Sequence, residues 1–347
     1  MQMNHQEHTR LFIPFDRWLS AAPYGDGHIN DTFRVEVEHG GAVKAYLLQR
    51  INRHVFRNPE RLMRNMQTVC EWLAEQEGYT YRVVAPLAGP DGRVLHTDDA
   101  GEYWRLFPFV EHSYTPEAPV GPETAAEAAR AYGAFARALR DFPAGELVET
   151  IPGFHDTDLR WQHFMEVLEK DPAGRKALTI REIDAIREAK PLFDRISALK
   201  KSGALPLRVA HNDTKASNIL FDRRTHKAVA VIDLDTVMPG TALSDFGDMV
   251  RTFTTDRPED DPADPVLRRD VLEALKAGYL EEAGDFLHAS ERAQLLHGAA
   301  WITGEQAMRF LGDWLAGDVY YKTRYAEHNL VRARNQLALF RELSKLI

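Results

Sequence analysis

The sequence predicts an α+β fold that consists of a small, antiparallel β-rich N-lobe and a larger, mainly helical C-lobe. The chain has 347 residues, which exceeds the length at which a single hydrophobic core stops growing. Short alternating segments and turns fill the first 110 residues, whereas the segments after Pro122 have the spacing of long amphipathic helices. We therefore expect an N-lobe over residues 1–110 and a C-lobe over residues 111–347.

Strands with tight turns between them make up the predicted N-lobe. Residues Thr32–Val37 alternate between apolar and polar side chains, and the glycines of His39-Gly40-Gly41 turn the chain into a second strand, Ala45–Ile51. The segment Asp16–Tyr24 is expected to be a loop or a short helix. Three further strands are expected to complete an antiparallel set: Tyr81–Leu87, Arg93–Thr97 and Glu102–Val110.

The start of the N-lobe offers a candidate phosphate-binding segment. Gly25 and Gly27 precede the first strand, where glycines allow backbone amides to approach phosphate groups, and Asn30 lies between them and that strand. The second strand ends in Gln49-Arg50. Because successive side chains of a strand point to opposite faces, only one of the two can face the cleft, and Arg50 is the candidate cation for the nucleotide phosphates.

The end of the last predicted strand is the expected hinge between the lobes. Phe107, Phe109 and Val110 lie where the strand runs into a connecting segment, so their backbone groups could bind a purine edge. Their aromatic side chains could equally pack between the lobes. Between the second and third strands, Asn58 and Pro59 predict the start of a helix that runs to about residue 76.

The C-lobe is predicted to be helical apart from one embedded β-hairpin. Its helices follow from apolar residues recurring at helical spacing. The two apolar runs Leu205–Ala210 and Ala228–Ile232 are valine-rich and are expected to be the strands of the hairpin. The predicted helices are Glu123–Asp141, Asp156–Glu169, Ile180–Lys200, Val266–Ala283, Ser290–Leu315 and Tyr320–Leu346.

Each of these two apolar runs delivers a cluster of polar residues at its C-terminal end. Asp213 follows the first run on a loop, where its carboxylate could accept a proton from a substrate hydroxyl as a general base. His211 is interpreted as a hydrogen-bonded support for this loop. Asn218 and Asp233 offer a neutral and a charged oxygen to a divalent cation such as Mg²⁺.

Two more residues complete the chemistry of this stretch. Lys215 can neutralise charge on a phosphoryl group during transfer, and Asp235 would be a second metal ligand or a contact to the substrate. A base, a cation and oxygen ligands for a hard metal ion are the groups that phosphoryl transfer requires. The spacing therefore predicts a phosphotransferase.

Composition excludes several other classes of function. The net charge of −9 leaves no basic surplus for general binding to nucleic acid or to an anionic membrane. No apolar run approaches the ~18 residues of a spanning helix, and the N-terminus lacks the order of a signal peptide, so a cytoplasmic protein is expected. Cys70 is the single cysteine. Its helical spacing predicts a buried packing thiol, and neither an internal disulfide nor a cysteine-built zinc site is available.

The catalytic stretch resembles that of a known family. The segments HNDTKASN and VIDLDT are similar to motifs of the aminoglycoside phosphotransferase/choline kinase superfamily, which is built like a protein kinase. Further segments resemble the N-acetylhexosamine 1-kinases of that superfamily: GHINDTF, LQRIN, LMRN, MPG, DFGD and RFL. The resemblance implies a bilobal protein-kinase-like fold and phosphorylation of the anomeric hydroxyl of GlcNAc or GalNAc by ATP with Mg²⁺.

The resemblance also carries implications for single residues. It implies Asp213 as the base, Asn218 and Asp233 as metal ligands, and Thr236, Arg309 and Tyr320 as contacts to the sugar. From helix geometry alone, Arg309 and Tyr320 could share one wall of a pocket with Asp313, although a solvated Arg–Asp pair would give the same pattern.

One motif is misleading. Asp245-Phe246-Gly247 spells the triplet that holds the metal in protein kinases, but it follows a loop and opens a helix-like run. Asp233 ends an apolar strand instead, which favours Asp233 as the metal ligand. We interpret Asp245 as an N-cap or a brace for the loop.

Other functions remain open at this point. The acceptor could be another sugar, choline, homoserine or an aminoglycoside, because substrate choice depends on pocket shape. The protein could also be a nucleotide-binding relative without activity. A glycosyltransferase that uses Asp233-Leu234-Asp235 to bind its metal would leave Asp213 and Asn218 without a role. The sequence does not determine the oligomeric state.

Overall fold

The structure is a computed structural model that describes residues 4–25 and 29–347. Its N-terminal part contains an antiparallel sheet, and a mainly helical part follows, so the predicted α+β fold is confirmed. The strands of the sheet are β1 (Arg17–Pro23), β2 (Asp31–His39), β3 (Ala42–Ile51), β4 (His96–Thr97) and β5 (Tyr103–Pro108). Their order across the sheet is β1-β2-β3-β5-β4.

The predicted hairpin of β2 and β3 is present, and Gly40 and Gly41 at its turn adopt positive φ angles of 60° and 76°. Val35 and Leu48 point to the same buried face of the sheet, where they pack with Trp104 and Leu106 of β5. This face forms a small core of its own. The sheet therefore has the alternation that the sequence predicts.

Two predictions for the N-lobe are wrong. Asp16–Tyr24 is not a loop or helix, because β1 occupies most of it and pairs with β2. This edge strand is mostly exposed and has an irregular register between Trp18 and Ser20, so it lacks a clear alternating pattern. Tyr81–Leu87 is not a strand. Pro86 has no N–H to donate, and the backbone N–H groups of Arg82 and Leu87 donate to two separate strands.

The helix predicted after Asn58 is present as α2 (Pro59–Glu75), and a short helix α1 (His5–Arg10) precedes the sheet. The Asn58 side chain accepts a hydrogen bond from the N–H of Arg61, as an N-cap does. Cys70 is buried in this helix as predicted, and burial raises the pKa of its thiol to about 12.

The apolar face of α2 packs against the helical part of the molecule. Leu62, Met66 and Val69 belong to the main hydrophobic core, which the C-terminal helices also form. The Nδ2 amide of Asn65 donates to the carbonyl oxygens of Val148 and Val237 at 2.8 and 3.0 Å. The helix is therefore joined to the C-terminal part by both apolar and polar contacts.

The helical part contains most of the predicted helices. The helix predicted at Ile180–Lys200 is divided in two at Ala189, two residues before Pro191. The helix-like run that follows Asp245 belongs to α7, which begins after Thr241. The helices are α3 (Pro122–Ala138), α4 (Thr157–Lys170), α5 (Ile180–Glu188), α6 (Lys190–Lys201), α7 (Ala242–Phe253), α8 (Arg269–Ala283), α9 (Ala289–Ala316) and α10 (His328–Ser344).

The last helix begins at His328, eight residues later than the predicted Tyr320. The N–H groups of Val319, Tyr320 and Tyr321 donate to the buried carboxylate of Asp313, so they are held in a loop that follows α9. Helix α7 packs closely on α9. A Cβ added at Gly247 would lie 2.5 Å from the carbonyl oxygen of Gly298, so both helices need glycine at this crossing.

Each of the two apolar runs predicted to form a hairpin in the C-lobe contains a strand. The prediction of a hairpin is nevertheless wrong, because the two strands do not pair with each other. Two small sheets are present, one of two strands and one of three, because each run pairs with a different neighbour. The strand β7 (Arg208–Ala210) pairs with β10 (Met238–Gly240), and β9 (Ala228–Val231) pairs with β8 (Ile219–Asp222), which also pairs with β6 (Ser113–Tyr114).

Within residues 4–25 and 29–347, no helix combines the length and apolar character that crossing a membrane requires.

Candidate active site

The loop after β7 is held in place by His211. Its Nδ1 accepts a hydrogen bond from the N–H of Asp213 at 3.3 Å, and its Nε2 donates to the carbonyl oxygen of Ile232 at 3.0 Å. His211 is fully buried and joins the ends of β7 and β9. It therefore supports the loop, as predicted.

The same loop is braced from below by α7. The carboxylate of Asp245 accepts hydrogen bonds from the N–H groups of His211 and Asn212 at 2.9 and 2.8 Å. Burial raises the pKa of Asp245 to about 6. The interpretation of Asp245 as a brace is confirmed, but Thr241 is the N-cap of the helix.

The carboxylate of Asp213 lies next to an ammonium group and an amide. Its Oδ2 accepts hydrogen bonds from Lys215 Nζ at 2.8 Å and from Asn218 Nδ2 at 2.9 Å. Burial opposes ionisation, but Lys215 and Asn218 outweigh it and lower the pKa of Asp213. Among the described residues, no donor contacts Oδ1. The structure therefore presents an ionised carboxylate with one oxygen available to a substrate hydroxyl.

Asp233 follows β9 in the left-handed conformation, with φ 62° and ψ 59°. It is an exposed residue, and no described residue donates a hydrogen bond to its carboxylate. Loss of hydration, with repulsion from Asp235 as the next cause, raises the pKa of Asp233 to about 7. The positive charge of Lys215 opposes this rise in the pKa of Asp233. The negative charges of Asp213 and Asp233 in turn raise the pKa of Lys215, although burial of the ammonium group acts in the opposite direction.

The donor set around Asp233 fits Mg²⁺. No cluster of three or more His, Cys, Asp or Glu that could hold a metal occurs in the described residues. Mg²⁺ needs no such cluster, because it is usually held by one or two protein oxygens together with water and substrate phosphates. A carboxylate without hydrogen-bond donors, beside other carboxylates, is a group whose charge a divalent cation would stabilise. Asn218 and Asp233 would hold such an ion.

Comparison with known proteins identifies the family. Residues 20–311 match the sequence pattern of APH, the phosphotransferase enzyme family. The chain belongs to the APH phosphotransferase family. It is thus a member of a family of small-molecule phosphotransferases.

Solved structures share the fold of this APH-family chain over nearly its whole length. The microcompartment-associated aminopropanol kinase has a TM-score of 0.63 at 18% identity, covering 99% of this chain and 97% of that one. The ethanolamine kinase of Plasmodium vivax has a TM-score of 0.61 at 13% identity, covering 97% and 87%. A spectinomycin phosphotransferase in complex with ADP and spectinomycin has a TM-score of 0.59 at 12% identity, covering 98% and 97%. The predicted bilobal kinase-like fold is confirmed.

On the sheet side of the cleft, this APH-family chain has a cation that the sequence reasoning missed. Arg105 of β5 is 1% exposed and makes a bidentate pair with Asp235, with Nη1–Oδ1 and Nη2–Oδ2 distances of 2.5 and 2.9 Å. Its Nε donates to Gln49 Oε1 at 3.0 Å. The available signal was an arginine within the apolar run YWRLFP, and its partner lies 130 positions away.

Arg50 lies on the other face of β3 from Gln49 and pairs with Asp31. The side chain facing Arg105 and Asp235 is thus Gln49, and the predicted phosphate contact of Arg50 does not lie on that side. Asn30 donates to Asp235 Oδ2 at 2.7 Å. Gly25 has open space around its Cβ position, and Gly27 lies outside the described residues.

The residues of the predicted hinge make hydrogen bonds and packing contacts with other parts of the protein. The N–H of Phe109 donates to the carbonyl oxygen of Ala45, and the carbonyl oxygen of Val110 accepts from the hydroxyl of Ser113. Phe107 lies under the guanidinium of Arg105, at 5.0 Å from ring centre to Cζ. These contacts stabilise the connection between the lobes.

The residues implied to contact a sugar come from three places. Thr236 is buried beside the catalytic loop, and its hydroxyl donates to the carbonyl oxygen of His211 at 2.7 Å. Tyr320 is 54% exposed and its ring lies 4.8 Å from that of Tyr321. Arg309 stacks over Phe154, with 4.9 Å from Cζ to the ring centre.

Arg309 forms no ion pair with Asp313, so the alternative of a solvated Arg–Asp pair is wrong. Its Nη1 donates to the neutral side chain of Gln306 at 3.3 Å, and no described carboxylate lies within ion-pair distance. The pKa of Arg160 is lowered, first by burial and then by the charge of Arg309. Arg160 and Arg309 therefore lie close together, and they and the neighbouring rings of Tyr320 and Tyr321 are called the acceptor wall. Arg251 is near enough to interact electrostatically with both Arg309 and Asp213.

A cavity of about 640 Å³ adjoins the catalytic loop at Asn212 and Gly240. Phe154 and Trp301 line its other side. None of the predicted site residues that the structure describes lines this cavity.

Proposed function

We propose that this protein transfers a phosphoryl group from ATP, with Mg²⁺, to the anomeric hydroxyl of an N-acetylhexosamine, GlcNAc or GalNAc. The observation that carries the phosphotransfer is the ionised Asp213 beside Asp233: among residues 4–25 and 29–347, no donor reaches Asp213 Oδ1 or the Asp233 carboxylate. One carboxylate is suited to receive a proton and the other to hold a cation.

The residues of the loop divide the work of the reaction. Asp213 Oδ1 accepts the proton of the acceptor hydroxyl, which makes the sugar oxygen more nucleophilic. Lys215 and Asn218 keep Asp213 ionised, since both donate to its Oδ2. Asn218 and Asp233 would hold Mg²⁺, which when bound neutralises charge on the phosphates. A role of Lys215 in countering negative charge on the transferring group follows from its position.

The charge of the acceptor wall favours a neutral sugar over a cationic acceptor. Arg309 and Arg160 lie near one another, and Glu305, the buried carboxylate that interacts electrostatically with both, is already hydrogen-bonded to His155 and Thr157. A positive wall repels choline, ethanolamine and aminoglycosides, which all carry amino or ammonium groups. It suits the hydroxyl and acetamido oxygens of GlcNAc, and the rings of Tyr320 and Tyr321 can cover the apolar face of a sugar.

The experiment is a screen of ATP consumption over GlcNAc, GalNAc, glucosamine, galactose, choline and kanamycin, followed by NMR of the product. We expect phosphate on O1 of GlcNAc or GalNAc. The methyl glycoside of GlcNAc is the matched control, since its anomeric oxygen is blocked and it should not react. Turnover confined to choline or kanamycin would contradict the proposal, and absence of turnover with every acceptor would favour a nucleotide-binding protein without activity.

The role of the wall can be tested with Arg309→Met. The variant should raise the KM for GlcNAc by about tenfold, the loss of one charged hydrogen bond. The ratio of kcat/KM for GlcNAc to kcat/KM for the cationic glucosamine should also fall. Arg341→Met in the last turn of α10 is the control. An unchanged preference would show that Arg309 does not select the acceptor.

A further inference from the structure

The turn that carries Asp233 has an unfavourable backbone conformation. Asp233 has positive φ and is followed by the single 3₁₀ turn Leu234–Thr236. An aspartate in the left-handed region costs free energy, and such a conformation persists only where surrounding contacts hold it. The position of the Asp233 carboxylate therefore depends on the contacts of the following residues.

Asp235 is the most strongly held residue of this turn. It is 3% exposed, and both of its oxygens are occupied. Arg105 donates to Oδ1 and Oδ2, and Asn30 donates to Oδ2. The backbone oxygen of Asp235 accepts from the hydroxyl of Thr150 at 3.0 Å.

Arg105 is itself fixed in one orientation. Gln49 accepts from its Nε, and Phe107 lies against its guanidinium plane. Arg105 and Gln49 are direct partners across β5 and β3. The turn is thus connected through one buried ion pair to the two central strands of the sheet.

We propose that Arg105 is a positioning residue that acts through Asp235 to hold Asp233 at the metal site. Asp235 is then an anchor for the turn and is neither a metal ligand nor a substrate contact. The inference rests on the proposed function, in which Asp233 binds Mg²⁺. It identifies Arg105 of β5 as the cation that links the sheet to the metal-binding turn. This role requires arginine. Lysine cannot reproduce the two parallel bonds of a guanidinium to one carboxylate.

The test compares two bidentate arginine–carboxylate pairs, of which Arg105–Asp235 is buried and Arg208–Glu291 joins a partly buried arginine to a buried carboxylate. Arg208 of β7 donates to both oxygens of the fully buried Glu291 at 2.6 Å, so Arg208→Lys is a matched control for Arg105→Lys. Binding of Mn²⁺ in the presence of ADP is followed by electron paramagnetic resonance, and thermal unfolding is measured alongside. Loss of a residue that orients a metal ligand weakens metal binding by about 10–100-fold.

We expect Arg105→Lys to weaken Mn²⁺ binding at least tenfold, whereas Arg208→Lys changes it less than about twofold, although both lower the unfolding temperature. Equal Mn²⁺ affinity of Arg105→Lys and wild type would overturn the inference. So would an equal loss in both variants, because that would indicate general destabilisation.

A milder variant covers the case in which Arg105→Lys does not fold. Thr150→Val removes the hydrogen bond to the backbone oxygen of Asp235 and keeps the side-chain shape. Loss of one such bond should weaken Mn²⁺ binding about fivefold, and unchanged binding would count against the proposal.

The readout separates this inference from the proposed function. If wild type binds Mn²⁺ with ADP but phosphorylates no acceptor, the proposed activity fails and the positioning role stands or falls on the variants. If wild type does not bind Mn²⁺ with ADP, both are overturned.

Discussion

Two pairs of aspartates lie within the same 36 residues and differ in the hydrogen-bond donors that reach their carboxylates. Asp213 and Asp233 follow strands and open into the cleft, and each has at least one oxygen without a donor among the described residues. Asp245 and Asp248 lie in α7, are about 95% buried, and accept hydrogen bonds from backbone N–H groups of the catalytic loop. The hydrogen-bond donors that reach a carboxylate therefore distinguish a reactive group from a brace. The local sequence motif does not make this distinction.

The largest effect should come from Asp233→Ala, which removes the carboxylate proposed to bind Mg²⁺. We expect turnover at saturating Mg²⁺ to fall below detection. Asp222→Ala is the matched control, because Asp222 ends the neighbouring strand β8 and its carboxylate accepts hydrogen bonds, among the described residues, only from Arg224 and Thr225 of its own turn. Turnover of Asp233→Ala comparable to that of the control would remove Asp233 from the site.

The next effect should come from Asp213→Asn. An amide cannot accept the hydroxyl proton, so kcat should fall by about 10²–10⁴-fold, the usual worth of a general base. Circular dichroism should show an unchanged fold. A variant that retained more than a tenth of the wild-type kcat would contradict the role of base.

Asp245→Asn should act mainly on stability. Asparagine offers one oxygen to the two N–H groups of His211 and Asn212, so the free energy of unfolding at pH 7 should fall by about 1–3 kcal/mol. Turnover should remain within about tenfold of wild type because the carboxylate touches no substrate. Denaturant unfolding and steady-state kinetics measure the two effects, and loss of Mg²⁺-dependent turnover at unchanged stability would reverse the comparison.

The smallest effect is a pH dependence at the same position. Burial raises the pKa of Asp245 to about 6, above its ordinary value of 3.8. A carboxyl whose pKa is raised on folding contributes its full stability below about pH 4 and loses it as the pH rises through about 6. The stability advantage of wild type over Asp245→Asn should therefore shrink between pH 4 and pH 7. A pH-independent difference in the free energy of unfolding would contradict this.

Much of the fold could be predicted because local chemistry determines it. Asn58 and Asp156 cap helices where the sequence indicates, and the β2–β3 hairpin follows its glycine turn. Strand pairing could not be predicted in the C-lobe, because β7 and β10 are separated in the sequence by two 3₁₀ turns and by the strands β8 and β9, which pair with each other. The helix predicted at Ile180–Lys200 is interrupted before Pro191. The spacing of apolar residues alone does not reveal this break, although a proline disfavours helical backbone in the residue before it.

The candidate site was predictable where its residues are close in sequence. Asp213, Lys215 and Asn218 lie on one loop and do contact one another. Arg105 could not be predicted, because its role depends on β5 lying beside β3 and on a partner 130 residues away. The alternation of Gln49 and Arg50 correctly indicates opposite faces, but only the structure tells which face meets Asp235.

The packing of α2 determines whether the protein could be divided into two fragments that fold separately. A fragment that ends at residue 110 would contain α2 but lack the helices that cover Leu62, Met66 and Val69, and Asn65 would lose both of its carbonyl partners. The complementary fragment would have an uncovered core. Neither half would persist as an independent module, so a split version of the protein would regain its structure only when both halves are made together and assemble.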